Sequence, residues 1–187
     1  ILIDKFGVDV NARAITKRGS GQNETALHIL ASGTYWWHTQ AIEFILRRGA
    51  DIEMDNEKGQ SPLSMCVDSK LYGAGCWRNA VADVLLRHGA NPNSIDSEGL
   101  TCLNKAGSNA EIVRNLIKYG ADVNLGDTPA LFTAIDSHDL ATIGVILDSG
   151  AGLASRRKAE LKQEGIPVSE IPPLHYAAWN TENVKSR

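Results

Sequence analysis

Side chains with catalytic or metal-binding chemistry are few and scattered in this sequence. Five histidines (His28, His38, His88, His138, His175) and three cysteines (Cys66, Cys76, Cys102) spread along 187 residues. A zinc site closes from short ligand spacings such as CxxC, and no His or Cys here has a partner at such a spacing. Asp136-Ser137-His138-Asp139 holds the residue types of a nucleophilic triad. Consecutive residues on a helix point in different directions, however, and cannot pass one proton along a line. Gly73-Ala74-Gly75 is glycine-rich, but it does not follow a strand as a phosphate cradle must. With no HExxH, GxSxG or Walker-type loop either, the sequence reads as non-enzymatic. It offers no catalytic residue, no metal ligand and no cofactor site.

The chemistry that remains is recognition. Three of the four tryptophans fall in two short stretches, Gly33-Thr34-Tyr35-Trp36-Trp37-His38 and Leu71-Tyr72-Gly73-Ala74-Gly75-Cys76-Trp77-Arg78. Trp, Tyr and Arg dominate the energetics of protein interfaces, so Tyr35, Trp36, Trp37, Tyr72, Trp77 and Arg78 are candidate partner-binding residues. The same aromatics could equally roof a core, because a Trp pair also fills space. A second signal is acidic. Asp51, Glu53, Asp55 and Glu57 crowd one polar segment, Asp96 and Glu98 the next, and Asp122 and Asp127 a third, with Lys58 as the main counterweight. Solvated loop charge explains such residues adequately. Side by side, though, three acidic loops would present a one-signed field to a basic partner segment, which makes Asp55, Glu57, Asp96 and Glu98 candidates too.

What positions these residues is an internal repeat. Gly7-Val8-Asp9-Val10-Asn11 recurs as Gly49-Ala50-Asp51-Ile52-Glu53, Gly89-Ala90-Asn91-Pro92-Asn93 and Gly120-Ala121-Asp122-Val123-Asn124, with Gly150-Ala151-Gly152-Leu153 a degraded copy. Alternating with it are Thr25-Ala26-Leu27-His28, Ser61-Pro62-Leu63-Ser64, Thr101-Cys102-Leu103-Asn104, Pro129-Ala130-Leu131-Phe132 and Pro172-Pro173-Leu174-His175. Each Gly follows an apolar helical stretch and suits a left-handed helix end. Each Thr or Ser suits an N-cap, and Pro is tolerated in the first turn, where its missing N–H would be unsatisfied anyway. Seven, four and three residues before the glycines stand Ile42/Ile45/Leu46, Ala82/Leu85/Leu86, Val113/Leu116/Ile117 and Ile143/Ile146/Leu147, one buried helical stripe written four times. Two and five residues after the caps stand Leu27/Leu30, Leu63/Cys66, Leu103/Ala106, Leu131/Ala134 and Leu174/Ala177. The small second member lets a short inner helix approach its neighbour. The linking segments, rich in Asp, Asn and Gly, read as turns or short hairpins.

Thr-Pro-Leu-His-x-Ala followed by Gly-Ala-Asp-Val-Asn resembles the ankyrin repeat, most closely at Gly120–Asn124 and Pro173–Ala178, and the likeness covers nearly the whole chain. It implies an all-α repeat solenoid of helix–loop–helix units joined by β-hairpin loops, with a concave face that binds partners and no common catalytic residue. The units expected are a partial one at 1–20, repeats at about 21–56, 57–96, 97–125 and 126–154, an inserted linker at 155–169 and a partial repeat at 170–187. Cap-to-glycine distance is about 21 residues in a standard unit. Here it is 24 from Thr25 to Gly49 and 28 from Ser61 to Gly89, so the two Trp-rich stretches are insertions between helices in consecutive units. Both ends fall within units, and the chain reads as part of a longer array.

Composition narrows the partner. A formal net charge of −3 and basic runs (Arg13-Lys17-Arg18, Arg156-Arg157-Lys158) flanked by acids give no phosphate-neutralising stripe, so no nucleic acid is expected. No apolar run approaches the ~20 residues of a membrane span. An odd cysteine count without CxxC argues for a reducing, intracellular setting, cytoplasmic or nuclear. The expected function is protein–protein interaction through the concave groove, hairpin tips and insertions, with a protein or peptide partner and a basic segment favoured. A structural spacer within a larger protein, and an enzyme with a pocket under the insertions, are the alternatives. The oligomeric state stays open.

Overall fold

The computed structural model describes residues 7–14, 23–33, 38–68 and 77–152. Eight helices lie among them: α1 (Ala26–Ala31), α2 (His38–Leu46), α3 (Pro62–Val67), α4 (Trp77–Arg87), α5 (Cys102–Ala106), α6 (Ala110–Lys118), α7 (Ala130–Asp136) and α8 (Leu140–Asp148). They form four antiparallel pairs. Inner helices α1, α3, α5 and α7 pack one on the next, outer helices α2, α4, α6 and α8 do the same, and each inner helix packs on its own outer partner. The result is the expected all-α, two-layer stack.

The inner helices run only five to seven residues. Helices so short are unstable alone in water, so caps and packing must hold them. Thr25 and Thr101 each close a reciprocal capping box, with His28 and Asn104 as the returning side chain. Ser61 caps α3 ahead of Pro62, whereas Pro129 offers α7 no side-chain cap. At the other end, Gly49, Gly89, Gly120 and Gly150 adopt φ between +84° and +92°. The amides of each Gly and the following Ala turn back three and five residues to the last helical carbonyls, the Schellman arrangement. A Cβ there would be strained, which is why this position is always glycine.

One continuous core runs through the stack. Leu27, Ile42, Leu63, Val81, Leu85, Leu103, Ile112, Leu116, Leu131 and Ile146 are almost fully buried in it, each worth about 1.5–3 kcal/mol relative to exposure. The buried stripe expected from the sequence is therefore present, though it loosens at its edge, where Leu147 is exposed. Cys66 and Cys102 fill apolar slots, and burial pushes their thiols up to about 12 and about 11, so neither is a reactive thiolate.

The linking fingers differ in detail from β-hairpins. Among the described residues they hold only isolated bridges, Ala14 with Glu24 and Ile95 with Thr101. Side-chain acceptors take the place of a ladder. Asp9, Asp51, Asn91 and Asp122 each accept the amide two residues on, and Asn56 and Asp96 each accept two amides at a finger tip. Asx turns of this kind satisfy the backbone locally and leave nothing for a strand pair to do.

Candidate functional site

Polar side chains between units fall into two ladders. In the first, the last residue of one Gly-Ala-Asp-x-Asn phrase clamps the next phrase. Asn11 donates to the Gly49 carbonyl (3.1 Å) and accepts from the Asp51 amide (2.8 Å). Asn93 does the same to Gly120 and Asp122 (2.9 and 2.8 Å), and Asn124 to Gly150 and Gly152 (3.5 and 2.8 Å). Glu53, in the same slot, accepts from the Asn91 amide at 2.8 Å but has no donor for Gly89.

The second ladder runs from the third residue of the inner helices α1 and α5. His28 is fully buried, with Nδ1 accepting from the Thr25 amide (3.2 Å) and Nε2 3.0 Å from the Gln60 carbonyl. An accepting Nδ1 leaves Nε2 as the protonated nitrogen, so the ring is neutral and its Nε2–H donates across the unit boundary. Burial holds its pKa below the ordinary histidine value despite that bond to Gln60. Asn104 reaches the Thr128 carbonyl (2.9 Å) and the Thr133 hydroxyl (3.0 Å) in the same manner. Ser64 is too short, and its buried hydroxyl has no partner among the described residues.

Between the fingers and the inner helices of the second to fourth pairs lies a cleft of about 610 Å³. Asp68, Glu98 and Asp136 line it, with Lys58 and Lys105, over a floor that includes Asn104, Gly107 and Thr133. Lys105 is not available to a partner. Its ammonium is buried 2.6 Å from Asp96 Oδ2 and 3.7 Å from Asp68 Oδ2. Desolvation acts to raise the Asp96 pKa, but hydrogen bonds from Lys105 and from the Leu100 and Glu98 amides outweigh it and hold the carboxyl below its usual range. With Lys105 spent, the cleft carries an excess of negative charge.

The candidate residues end up in different places. Glu98 is exposed and lines the cleft. Asp96 was expected at a solvated tip but is buried, because its tip turns inward to meet Lys105. Asp55 and Glu57 are exposed on the preceding finger, outside the cleft lining. There Arg13 donates to the Asp55 carbonyl (2.8 Å) and Asn23 to the Glu57 carboxylate (2.7 Å). Trp77 opens α4 and is 44% exposed, on the outer layer. Arg78, beside it, points inward, 5% exposed, and donates to the Asp68 carbonyl (3.1 Å). Its guanidinium thus braces the loop end of α3 and is not presented to a partner. Tyr35, Trp36, Trp37 and Tyr72 lie outside the described residues, as do the linker 155–169 and the unit 170–187.

Two cleft residues were not singled out for binding in the sequence, Asp68 and Asp136. Both stand seven residues after their caps, where the other units have Ser32 and Ser108. A column-by-column alignment of the units would have found them.

Family models for ankyrin repeats match residues 71–157, as three copies, and residues 22–57. The chain belongs to the ankyrin repeat family. It is 30% identical over 141 residues to the ankyrin repeat protein FPV031 of fowlpox virus (strain NVSL), covering 73% of this chain and 37% of that one. A second ankyrin repeat protein of that virus, FPV244, is 28% identical over 137 residues, 72% of this chain and 18% of its own length. The ADP-ribosylation factor GTPase-activating protein AGD2 of Arabidopsis thaliana is 42% identical over 65 residues, 35% of this chain and 8% of its own. The chain thus spans well under half the length of these curated relatives. Ankyrin repeats generally mediate protein–protein interaction and are typically non-enzymatic binding modules. Among the described residues no helix is long and apolar enough to cross a membrane.

Proposed function

We propose that this ankyrin array binds a cationic, extended segment of a protein partner in the cleft over its second to fourth helix pairs. The observation that carries the reading is the charge of that cleft. Asp68, Glu98 and Asp136 line one space of about 610 Å³ whose buried lysine is already held by Asp96 and, at 3.7 Å, by Asp68. Carboxylates around a concave, partly dry surface focus a negative field and favour a lysine- or arginine-bearing chain over an acidic one. Asp55 and Glu57, on the finger before, extend the same sign of charge along the approach path. Tyr35, Trp36, Trp37 and Tyr72 are proposed as further contact residues on their chemistry alone, large amphipathic side chains of the kind that anchor interfaces.

The test uses two acetylated, amidated octapeptides, one alternating Arg with Gly and one alternating Glu with Gly, titrated at low and high salt. The basic peptide should bind more tightly, lose affinity with salt, and lose about tenfold more on Glu98→Lys or Asp136→Lys, an interfacial charge effect of ordinary size. Equal binding of both peptides, or basic-peptide binding indifferent to both reversals, would refute the reading.

A further inference from the structure

The outer layer carries a second cleft, of about 510 Å³, between α4 and α6. Trp77, Asp83, Glu111, Arg114 and Lys118 line it. Trp77 is the only tryptophan among the described residues and nearly half its surface is open to solvent.

The carboxylates of this cleft are engaged within the fold. Asp83 holds Arg87 at 2.6 Å through one oxygen and the Tyr119 hydroxyl at 3.2 Å through the other. Glu111 accepts from the Asn79 side chain at 2.5 Å, and Asn79 in turn accepts from Asn115 at 3.2 Å, which locks α4 to α6. The cations are not engaged in this way. Arg114 forms no ion pair or hydrogen bond among the described residues, and Lys118 only lies over the Tyr119 ring at 5.5 Å.

The equivalent positions of the other units differ. Six and two residues before the closing glycine, the first helix pair has Glu43 and Arg47 (3.5 Å) and the second has Asp83 and Arg87 (2.6 Å), each a helical i,i+4 ion pair. The third pair has Arg114 and Lys118 at those positions. Like charges one helical turn apart are unfavourable. Lys118 sits in the last turn, where the helix dipole welcomes a cation, but Arg114 is at mid-helix and gains nothing from it. Fold stability therefore gives no reason for Arg114.

From these observations we infer that the α4–α6 cleft is a second docking surface, specific for a protein segment that sets a carboxylate beside an apolar side chain. The carboxylate meets Arg114 and Lys118, and the apolar group covers Trp77. This surface lies on the outer helices, away from the inner-layer cleft, and prefers the opposite charge, so it stands or falls independently of the proposed function.

The test follows the Trp77 indole and Arg114 amide resonances in ¹⁵N-labelled chain. The probes are three capped octapeptides with cores Leu-Asp-Glu-Leu, Leu-Asn-Gln-Leu and Leu-Lys-Lys-Leu, and inorganic phosphate. The acidic peptide should shift both resonances and bind about tenfold more tightly than the neutral one. Arg114→Glu should abolish that preference while leaving thermal stability equal or slightly higher, because it recreates the pairing of the neighbouring units. Glu98→Lys should leave it unchanged. Equal titration by all three peptides, no shift at Trp77, a preference that survives Arg114→Glu, or phosphate matching the acidic peptide would each overturn the inference.

Discussion

The chain contains its own control for the buried Lys105–Asp96 pair. Lys105 stands four residues after the Thr101 cap and Asp96 five before it; the same positions around Ser61 hold Met65 and Asn56. In that unit Asn56 Oδ1 accepts the Lys58 and Gln60 amides, and its Nδ2 donates to Gln60 Oε1 at 3.2 Å and meets Met65 Sδ at 3.4 Å. Asp96 Oδ1 accepts the two equivalent amides, and its other oxygen takes Lys105. One backbone arrangement is thus completed once by three neutral side chains and once by a charged pair.

Lys105→Met alone should be severe. It leaves Asp96 buried with only backbone donors and takes a cation away from Asp68, and breaking such a pair from one side costs about 3–5 kcal/mol. Asp96→Asn alone should cost about 1.5–3 kcal/mol, the range for a lost charge-assisted hydrogen bond, since Lys105 keeps Asp68 at 3.7 Å. The double variant rebuilds most of the neighbouring unit's solution, with Leu100 in place of the Gln60 acceptor and Asp68 left without Lys105, and should be clearly more stable than Lys105→Met alone, because well-packed neutral replacements of buried ion pairs are often neutral or stabilising. Urea unfolding at pH 7 followed by circular dichroism measures all four proteins. If the double variant loses the sum of the single losses, the two units are not interchangeable here and the reasoning fails. Acid titration adds a check of sign. Asp96 titrates lower folded than unfolded, so its stabilisation is complete above the unfolded carboxyl value near ~3.9 and disappears as pH falls below it. The double variant should lack that component.

Two further outcomes follow from the ladders. Glu53→Asn should supply the missing donor to the Gly89 carbonyl and raise stability by about 0.5–1.5 kcal/mol in urea unfolding, and a loss instead would show that the slot tolerates Glu for another reason. His28 is neutral in the fold and its pKa is lowered, so its contribution should be intact above the unfolded value near ~6.5 and fall away as pH drops below it. The thermal midpoint of His28→Gln should show less pH dependence between about pH 6.5 and 5 than the parent, and parallel profiles would exclude His28 as the source.

The elements of the fold were legible because the residues that end and begin helices act locally. Gly89 needs φ > 0 and Thr101 needs a nearby amide, and neither requirement involves distant chain. The work of the acidic residues was not legible for the converse reason. Asp51 and Asp122 look like free charge until the turn that each closes is seen. Asp96 looks like a fingertip until stacking brings Lys105 beneath it. Asn11, Asn93 and Asn124 act on residues about 26 to 40 positions away, so their clamp exists only once the units are in register. Asp68 and Asp136 escaped because attention to charge runs favours clusters in sequence, whereas a concave surface gathers single residues from successive units.

Repetition offers a way to separate duty from recognition. Where every unit meets the same structural demand, a residue that departs from its column either has a compensating neighbour or is free to serve something else. Asp96 departs from Asn56 and is compensated by Lys105. Glu53 departs from the Asn clamp and retains half of its bonding. Ser64 departs from His28 and Asn104 and leaves a hydroxyl without a partner among the described residues. Arg114 departs from Glu43 and Asp83 with no partner among the described residues, whereas Asp68 and Asp136 depart from Ser32 and Ser108 at the lining of the inner cleft, Asp68 lying 3.7 Å from Lys105. The departures that reach a cleft therefore sort onto two surfaces of opposite charge, one on each layer of the stack. A single partner served by both would have to wrap around a helix pair. Two partners, one basic and one acidic at the point of contact, could bind at once, and the Glu98→Lys and Arg114→Glu variants should then remove them one at a time.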